Sequence, residues 1–424
     1  MFAIFLVFIS GCFQTQPSFV CNKPYIQVGN QCCLDINENR ICDSDEVNES
    51  KPISNMNTSI TNNITNITNQ TKTSTSKEEN ETTQLPINES KNVTINASSE
   101  SKFNYTNDFT PCNGMNLSAK NPVAYHRVVL AKSGDGLNFT RMNKVLADRA
   151  SVPDIMIDKE GNVRVYFVQL VCGDMMNNPV VAISPDGGES WVYKRLHIEG
   201  PSEAKECKEP YDSKNMELPP VDPEVLLMPD GTYRLYATCP KGSITGTPMT
   251  FVFFSDDGIN FKDGKPTYTP KSGAALDPVV IKFGSTWNLF NGNSKPATSQ
   301  DGVTFTQSET GVFCPFKFSS TMIKEGCYVI GDAITLDNPT RYRLYLFGDV
   351  PDVGFKSIIS SDGQTWTMEQ SGSEYIMNVG GNNEYYKLMF PTVAKLRDGS
   401  YIMAYETFIP GTPSSILSGG QMPK

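Results

Sequence analysis

From about residue 120 onward, short apolar runs alternate with turn residues at close intervals. Five times, a run that opens near a proline or aspartate passes through a turn into a second run of alternating aromatic and aliphatic residues. The pairs are 153–161 into 163–166, 222–231 into 233–236, 277–284 into 287–290, 332–336 into 342–345, and 391–399 into 401–404. Runs this short, rich in Val, Ile, Tyr and Phe and bounded by Gly, Pro and Asp, predict two β-strands joined by a tight turn. A second pattern interleaves with the first: a serine, an aspartate two positions on, a glycine, then an aromatic. It recurs at Ser133/Asp135/Gly136/Phe139, Ser184/Asp186/Gly187/Trp191, Ser255/Asp257/Gly258/Phe261, Ser299/Asp301/Gly302/Phe305 and Ser360/Asp362/Gly363/Trp366. Such a segment makes a hairpin turn, because Asp bonds backbone amides, Gly takes positive φ and the aromatic tucks beneath the loop. Each turn is expected to join the third and fourth strands of a four-stranded unit. The first turn has no strand pair before it and the last pair has no turn after it, so chain start and chain end complete one unit together. The expected fold class is therefore all-β, a five-bladed β-propeller with 2+2 strand closure over 109–409, followed by a flexible tail at 410–424 rich in Gly, Ser and Pro.

The first hundred residues lack this periodicity. Residues 47–108 are rich in Asn, Ser and Thr, with too few apolar side chains to offset the cost of ordering, and read as a disordered stalk. Asn-x-Ser/Thr acceptor sites crowd it: Asn48, Asn57, Asn63, Asn66, Asn69, Asn80, Asn88, Asn92, Asn96 and Asn104, with Asn116 and Asn138 continuing into the folded part. Residues 13–46 form a small disulfide-rich module with Cys21, Cys32, Cys33 and Cys42. Within it, Asp35, Asn37, Asn39, Asp43 and Glu46 present side-chain oxygens at the spacing of an EF-hand loop, and Ile41 offers the backbone carbonyl. Hard oxygens at alternate positions of a curled loop suit Ca²⁺. Arg40 stands where a Gly usually makes the turn and no helix pattern flanks the loop, so it resembles the calcium loops of thrombospondin-type or dockerin-like modules.

The apolar run from Phe2 to Ile9, then Ser10-Gly11-Cys12, resembles a lipobox, which implies a lipid on Cys12 and a membrane anchor over 1–12. Setting Cys12 aside from the 11 cysteines leaves an even number, as an exported disulfide protein needs. Of the six in the ring, Cys314 and Cys327 are the expected pair, because the loop between them is short. No other segment approaches the roughly 20 apolar residues of a spanning helix. The expected location is extracytoplasmic and anchored at the cell surface; a lipobox combined with acceptor sequons fits an archaeal envelope. The net charge of −10, without basic runs, argues against nucleic acid as a partner. The two histidines, His126 and His197, are too far apart in sequence to suggest a zinc site or a histidine triad, and His126 reads as an ordinary histidine.

The Ser-x-Asp-x-Gly-x-x-aromatic turn resembles the Asp-box (BNR) repeat of sialidases, but the Arg-Ile-Pro motif of those enzymes is absent. Blade count and strand motifs are similar to the five-bladed arabinanase, β-xylosidase and invertase glycosidases. Residues 151–155 resemble their Ala-Pro-Asp-Ile strand, and 221–223 their Ile-Asp-Pro strand, whose Asp tunes the catalytic acid. The resemblance spans roughly 120–410. Counting from the aromatic strands sets Asp222, Asp277 and Asp332 at equivalent points on three innermost strands, with Val152 and Phe390 in the other two and Asp154 and Glu224 two positions further along. Crowded carboxyls raise one another's pKa, and glycoside hydrolysis uses such a pair. Asp222 and Asp277 lead as catalytic candidates, with Asp332, Asp154 and Glu224 as alternates. In the arabinanase-like pattern, however, the base position falls on Phe390 and the general-acid Glu on Asp277. Two functions therefore stay open: recognition of a glycan or surface glycoprotein without catalysis, and glycoside hydrolysis by a carboxylate pair.

Overall fold

In a computed structural model of the chain, the described residues are 25–28, 31–34, and 104–417 apart from 120, 174–176, 200–219, 240–247, 272–273, 293–294, 310–316, 319–325, 349–353 and 372–373. Near the N-terminus, β1 (Tyr25–Val28) pairs antiparallel with β2 (Gln31–Leu34), the strand that carries Cys32 and Cys33. Cys12, the calcium-loop candidates Asp35, Asn37, Asn39, Ile41, Asp43 and Glu46, and the stalk acceptor sites before Asn104 lie outside the described residues.

The remaining strands among the described residues number 23, of which 20 build five four-stranded antiparallel blades. In chain order they are β3 (His126–Ser133), β4 (Phe139–Asp148), β5 (Ala150–Ile157), β6 (Val163–Gln169), β7 (Asn178–Ser184), β8 (Val192–Arg195), the two-residue β9 (His197–Ile198), β10 (Val221–Leu227), β11 (Tyr233–Cys239), β12 (Met249–Ser255), β13 (Asn260–Tyr268), β14 (Val279–Phe283), β15 (Thr286–Phe290), β16 (Ala297–Ser299), β17 (Thr306–Gln307), β18 (Lys317–Phe318), β19 (Gly326–Cys327), β20 (Val329–Leu336), β21 (Arg341–Phe347), β22 (Phe355–Ser360), β23 (Thr367–Met368), β24 (Leu388–Lys395) and β25 (Tyr401–Phe408). Blades run β5-β6-β7-β8, β10-β11-β12-β13, β14-β15-β16-β17 and β20-β21-β22-β23; β9 adds to the edge of β13 in parallel, and β18 pairs with β19 as a separate hairpin. The fifth blade is β24-β25-β3-β4, the 2+2 closure. β25 and β3 pair over eight residues, from Tyr401 opposite Ser133 to Phe408 opposite His126.

The middle strands carry the core because neighbouring blades cover both of their faces, and β6, β7 and β25 are buried along their whole length. One apolar cluster joins the closing blade to the next through Leu130, Ile402 and Ala404 against Val163, Val165 and Ala182.

The recurring turns lie between third and fourth strands, as their order in the sequence requires. In the first, Ser133 Oγ donates to Asp135 Oδ1 (2.8 Å), the Leu137 and Asn138 amides donate to the same oxygen (2.8 Å each), and Gly136 sits at φ +74°. The same bonds recur at Asp301, where the Thr304 and Val303 amides hold the carboxylate down at about 2. These turns also tie blade to blade. Tyr166 OH donates to Gly258 O (3.0 Å), Tyr236 OH to Gly302 O (2.6 Å) and Tyr345 OH to Gly136 O (2.9 Å). The arginine two positions before each tyrosine reaches the same turn: Arg164 and Arg234 donate to Asp257 O and Asp301 O (2.6 and 2.9 Å), and Arg343 to Gly136 O (3.4 Å). A repeated Arg-x-Tyr on the second strand thus clamps three of the five seams. Asn288 and Phe290 replace it at the β14–β17 blade, and Ile402 and Ala404 at the closing blade. Removing one buried hydroxyl with Tyr236→Phe is expected to cost about 1 kcal/mol in denaturant unfolding, without change of fold.

Chain ends are tied to the ring. The Asp108 amide donates to Tyr193 O (2.9 Å), and the Tyr193 amide to Asn107 Oδ1 (2.8 Å). A disulfide joins Cys112 to Cys172, 60 residues apart. Cys239 and Cys327 are also disulfide-bonded; Cys314, the expected partner of Cys327, lies outside the described residues. After Ile409, Thr412 is buried and the short helix α1 (Ser414–Leu417) places Ile416 and Leu417 against the core.

Candidate functional site

The innermost strands β5, β10, β14, β20 and β24 leave one edge towards the ring axis. Near the start of each, a side chain is set by an unusual backbone. Val152, Asp222, Asp277 and Phe390 have φ of 48°, 55°, 51° and 47°, and each precedes a proline. A pre-proline residue is kept out of the right-handed helical region by the ring Cδ, and the proline has no amide to leave unpaired. Positive φ costs a non-glycine residue of order 1–3 kcal/mol, and for a β-branched valine it is a true outlier. Three of the four lie in register slips, between Ser151 and Asp154, Val221 and Glu224, and Met389 and Thr392. A bulge of this kind re-aims a side chain out of the strand's alternation. The four residues make one level of the ring, at the end where the innermost strands begin.

The β20–β23 blade departs from this. Its slip is one residue shorter, between Ile330 and Asp332, and Gly331 holds the bulge. A Cβ there would fall 2.4 Å from Pro391 Cδ, so only glycine fits. Asp332 consequently pairs with Tyr345, as Asp154 does with Tyr166, Glu224 with Tyr236 and Thr392 with Ala404. The expected equivalence of Asp332 with Asp222 and Asp277 is corrected: the carboxyls occupy two levels. The β20–β21 connection, in which Leu336 pairs with Arg341, is longer than that of β14–β15, in which Phe283 pairs with Thr286, and this hides the difference in level between Asp332 and Asp277 when positions are counted along the chain.

At the upper level, the Asp277 amide lies 3.5 Å from Asp222 Oδ2. Burial raises Asp222 to about 6, restrained by the Thr238 hydroxyl and the Asp277 amide and assisted by the charge of Glu406. Burial raises Asp277 well above the carboxylate range, and Asp222 and Glu406 add to it. Glu406, on β25, is the third carboxyl and was not a sequence candidate. It is 1% exposed, accepts from Ser151 Oγ and the Val152 amide (2.7 Å each), and lies 2.7 Å from His126 Nδ1. A lone acid inside the fully buried run 401–408 was the signal that could have found it. His126, read from sequence as ordinary, is its partner. The other side of this level is aromatic: Phe390 packs on Phe347 (4.8 Å), Tyr386 and His126 pack on Phe408 (5.8 and 4.5 Å), and Phe390 and Tyr386 keep part of their surface exposed.

The lower level is a circle of staples. Asp154 Oδ2 accepts the Val225 amide (2.7 Å), Glu224 Oε1 the Val280 amide (3.1 Å), Asp332 Oδ2 the Val393 amide (2.6 Å) and Thr392 Oγ1 the Ile155 amide (2.9 Å). Each side chain thus satisfies an axis-facing amide of the next blade, which strand pairing leaves free. At the remaining seam Val279 offers no acceptor, and the Ala333 amide bonds its neighbour Asp332 instead (2.6 Å). Burial raises Asp154 to about 8, with Asp332 adding to it, and Asp332 to about 7; Glu224 is raised well above its ordinary value by burial and by both aspartates. Beyond this level a cavity of about 490 Å³ runs between Asp154–Ile157, Glu224–Leu227, Asp332–Thr335 and Val393–Lys395.

The five acidic candidates are therefore all at the axis, with Asp222 and Asp277 open to the mouth and Asp154, Glu224 and Asp332 engaged in closing the ring. Among the acceptor sites, Asn104 and Asn138 are exposed and Asn116 is half-buried; Asn138 Nδ2 donates to Asp135 Oδ2 (2.7 Å).

No protein-family model matches the chain, and no curated protein matches it. Solved structures resemble it at low identity. A glycosyl hydrolase from Bacteroides ovatus is 12% identical, with 62% of this chain and 85% of that one covered and a TM-score of 0.43. An N-acetylgalactosamine deacetylase from F. plautii, in complex with blood group B trisaccharide, is 13% identical over 63% and 81%, with a TM-score of 0.43. A protein of unknown function from Dyadobacter fermentans is 15% identical over 66% and 84%, with a TM-score of 0.43.

Proposed function

We propose that the chain is a carbohydrate-recognising propeller whose ligand sits in the upper mouth. The observation that supports this is one ring level carrying both half-exposed aromatics, Phe390 and Tyr386, and two carboxyls shifted upward by burial, Asp222 to about 6 and Asp277 well above the usual carboxylate range. A pyranose presents an apolar face and a rim of hydroxyls. Aromatic rings suit the face, and a protonated carboxyl both donates to and accepts from the rim. In this reading the ring stands outside the cytoplasm on a glycosylated stalk, anchored through Cys12, with Ca²⁺ in the 13–46 module; the sequence patterns support these features.

Recognition without turnover is favoured over hydrolysis because the base position of the arabinanase-like pattern carries no carboxyl here. Phe390 fills the base position, and Glu406 is bound by Ser151, the Val152 amide and His126. Hydrolysis keeps one supporting feature, the upward shift of Asp277 by burial and its carboxyl neighbours, the direction a general acid requires. A glycan array followed by calorimetry on wild type, Asp222→Asn and Phe390→Ala separates the readings. The expected result is a glycan hit weakened at least tenfold by Phe390→Ala, with no sugar released. Release of sugar by wild type, lost in Asp277→Asn, would establish the hydrolase instead. No hit, or a hit indifferent to both substitutions, would remove the mouth from consideration.

A further inference from the structure

The lower ring has a property separate from ligand recognition. Three of its four staples are carboxyl side chains, they face one another across the axis, and the axial cavity begins beneath them. We propose that this circle is a pH-responsive latch, which holds the innermost strands of neighbouring blades together in acid and loosens as the pH rises through neutrality.

On the innermost strands the titratable groups at this level are Asp154, Glu224 and Asp332. β14 brings Val279 to this level, and Lys282, further along it, lies over Trp287. Opposite on the second strands are Tyr166, Tyr236 and Tyr345, all held neutral by burial. Arg164 and Arg343 are committed elsewhere, to Asp158 and Glu369. One level up stand Asp222, Asp277 and Glu406, with His126 paired to Glu406. Below, Lys395 lines the far part of the cavity and is exposed. Among the described residues no cation therefore neutralises the three carboxyls. A neutral carboxyl can accept the Val225, Val280 or Val393 amide at no electrostatic cost. Three ionised ones in a buried ring repel one another, and their charge favours entry of water from the cavity they line.

The sign follows from linkage. Aspartate and glutamate in an unfolded chain titrate near 3.9 and 4.3. In the fold Asp332 rises to about 7 and Asp154 to about 8, and Glu224 rises as well. The native ring then binds more protons than the unfolded chain between about pH 4 and 8. The stabilisation is fully present below the unfolded values and is lost as pH climbs through the folded ones.

The test is amide hydrogen exchange by mass spectrometry on the full chain from pH 5 to 9, corrected for intrinsic exchange rates. Peptides covering β10, β14 and β24 report the three stapled amides. In wild type their protection is expected to fall at least tenfold across neutrality, while peptides from β6 and β7 fall less. The Asp154→Asn/Glu224→Gln/Asp332→Asn variant keeps an acceptor oxygen at each staple without a charge, and its protection should stay flat. Should the triple variant not fold, Asp332→Asn alone is expected to remove the fall at the β24 peptide. The Asp222→Asn/Asp277→Asn variant should retain that fall, since neither residue touches the Val393 amide. Wild-type protection that does not change with pH, or a fall that persists unaltered in the neutral variants, would overturn the latch.

Discussion

A chain ended after Gly399 is expected to yield no folded ring. The deleted strand β25 is buried at all eight positions, pairs with β3 on one side and β24 on the other, and contributes Met403, Ala404 and Tyr405 to the core. Its loss exposes the apolar faces of the first and last blades at once and opens two strand edges, which invites aggregation. The stability of a domain is only about 5–15 kcal/mol, and several buried side chains at about 1.5–3 kcal/mol each exceed it. The truncated chain should show no cooperative thermal transition by circular dichroism and should elute as aggregate in size-exclusion chromatography. A monomer with a cooperative transition would mean that the blades do not depend on closure.

Arg164→Ala is the second large effect. Arg164 is 1% exposed, and its Nε donates to Asp158 Oδ2 (2.9 Å), whose side chain is fully buried. Its other nitrogens reach Asp257 O on the next blade (2.6 Å) and Tyr105 OH (3.0 Å), and the guanidinium lies 5.2 Å from the centre of the Tyr233 ring. Removing one partner of a buried pair leaves an uncompensated charge and costs about 3–5 kcal/mol. At roughly 2–4 °C per kcal/mol, the thermal midpoint should drop by about 10 °C. Arg234→Ala is the comparison. Arg234 holds the equivalent place, is half-exposed and bonds Asp301 O (2.9 Å), so it should cost about 1 kcal/mol. Equal shifts for the two variants would refute the claim that burial of the Arg164–Asp158 pair governs that seam.

What could be read from the sequence was whatever repeats. The five Ser-Asp-Gly turns and five strand pairs fixed blade number and closure, because each turn uses residue types with one backbone role. Two of the axial acids also stood out, since Asp222 and Asp277 each precede a proline at a strand start in an apolar context. Their arrangement was not legible. Gly331 shortens the slip, and a β20–β21 connection longer than that of β14–β15 gives Asp332 and Asp277 the same count to the aromatic strand. Glu406 was not legible because it comes from a second strand, where no repeated acid marks the position. Its tie to Val152 depends on a valine at φ 48°, which no propensity favours. The disulfide from Cys112 to Cys172 spans 60 residues, and such a separation carries no local signal.

The most direct test of the account is a crystal structure of the full chain with the glycan that binds best on the array. The ligand is expected in the upper mouth, with a sugar face on Phe390 or Tyr386 and a hydroxyl within hydrogen-bond distance of Asp222 or Asp277. A ligand bound only on the outer strands of a blade, with the mouth unoccupied, would contradict it.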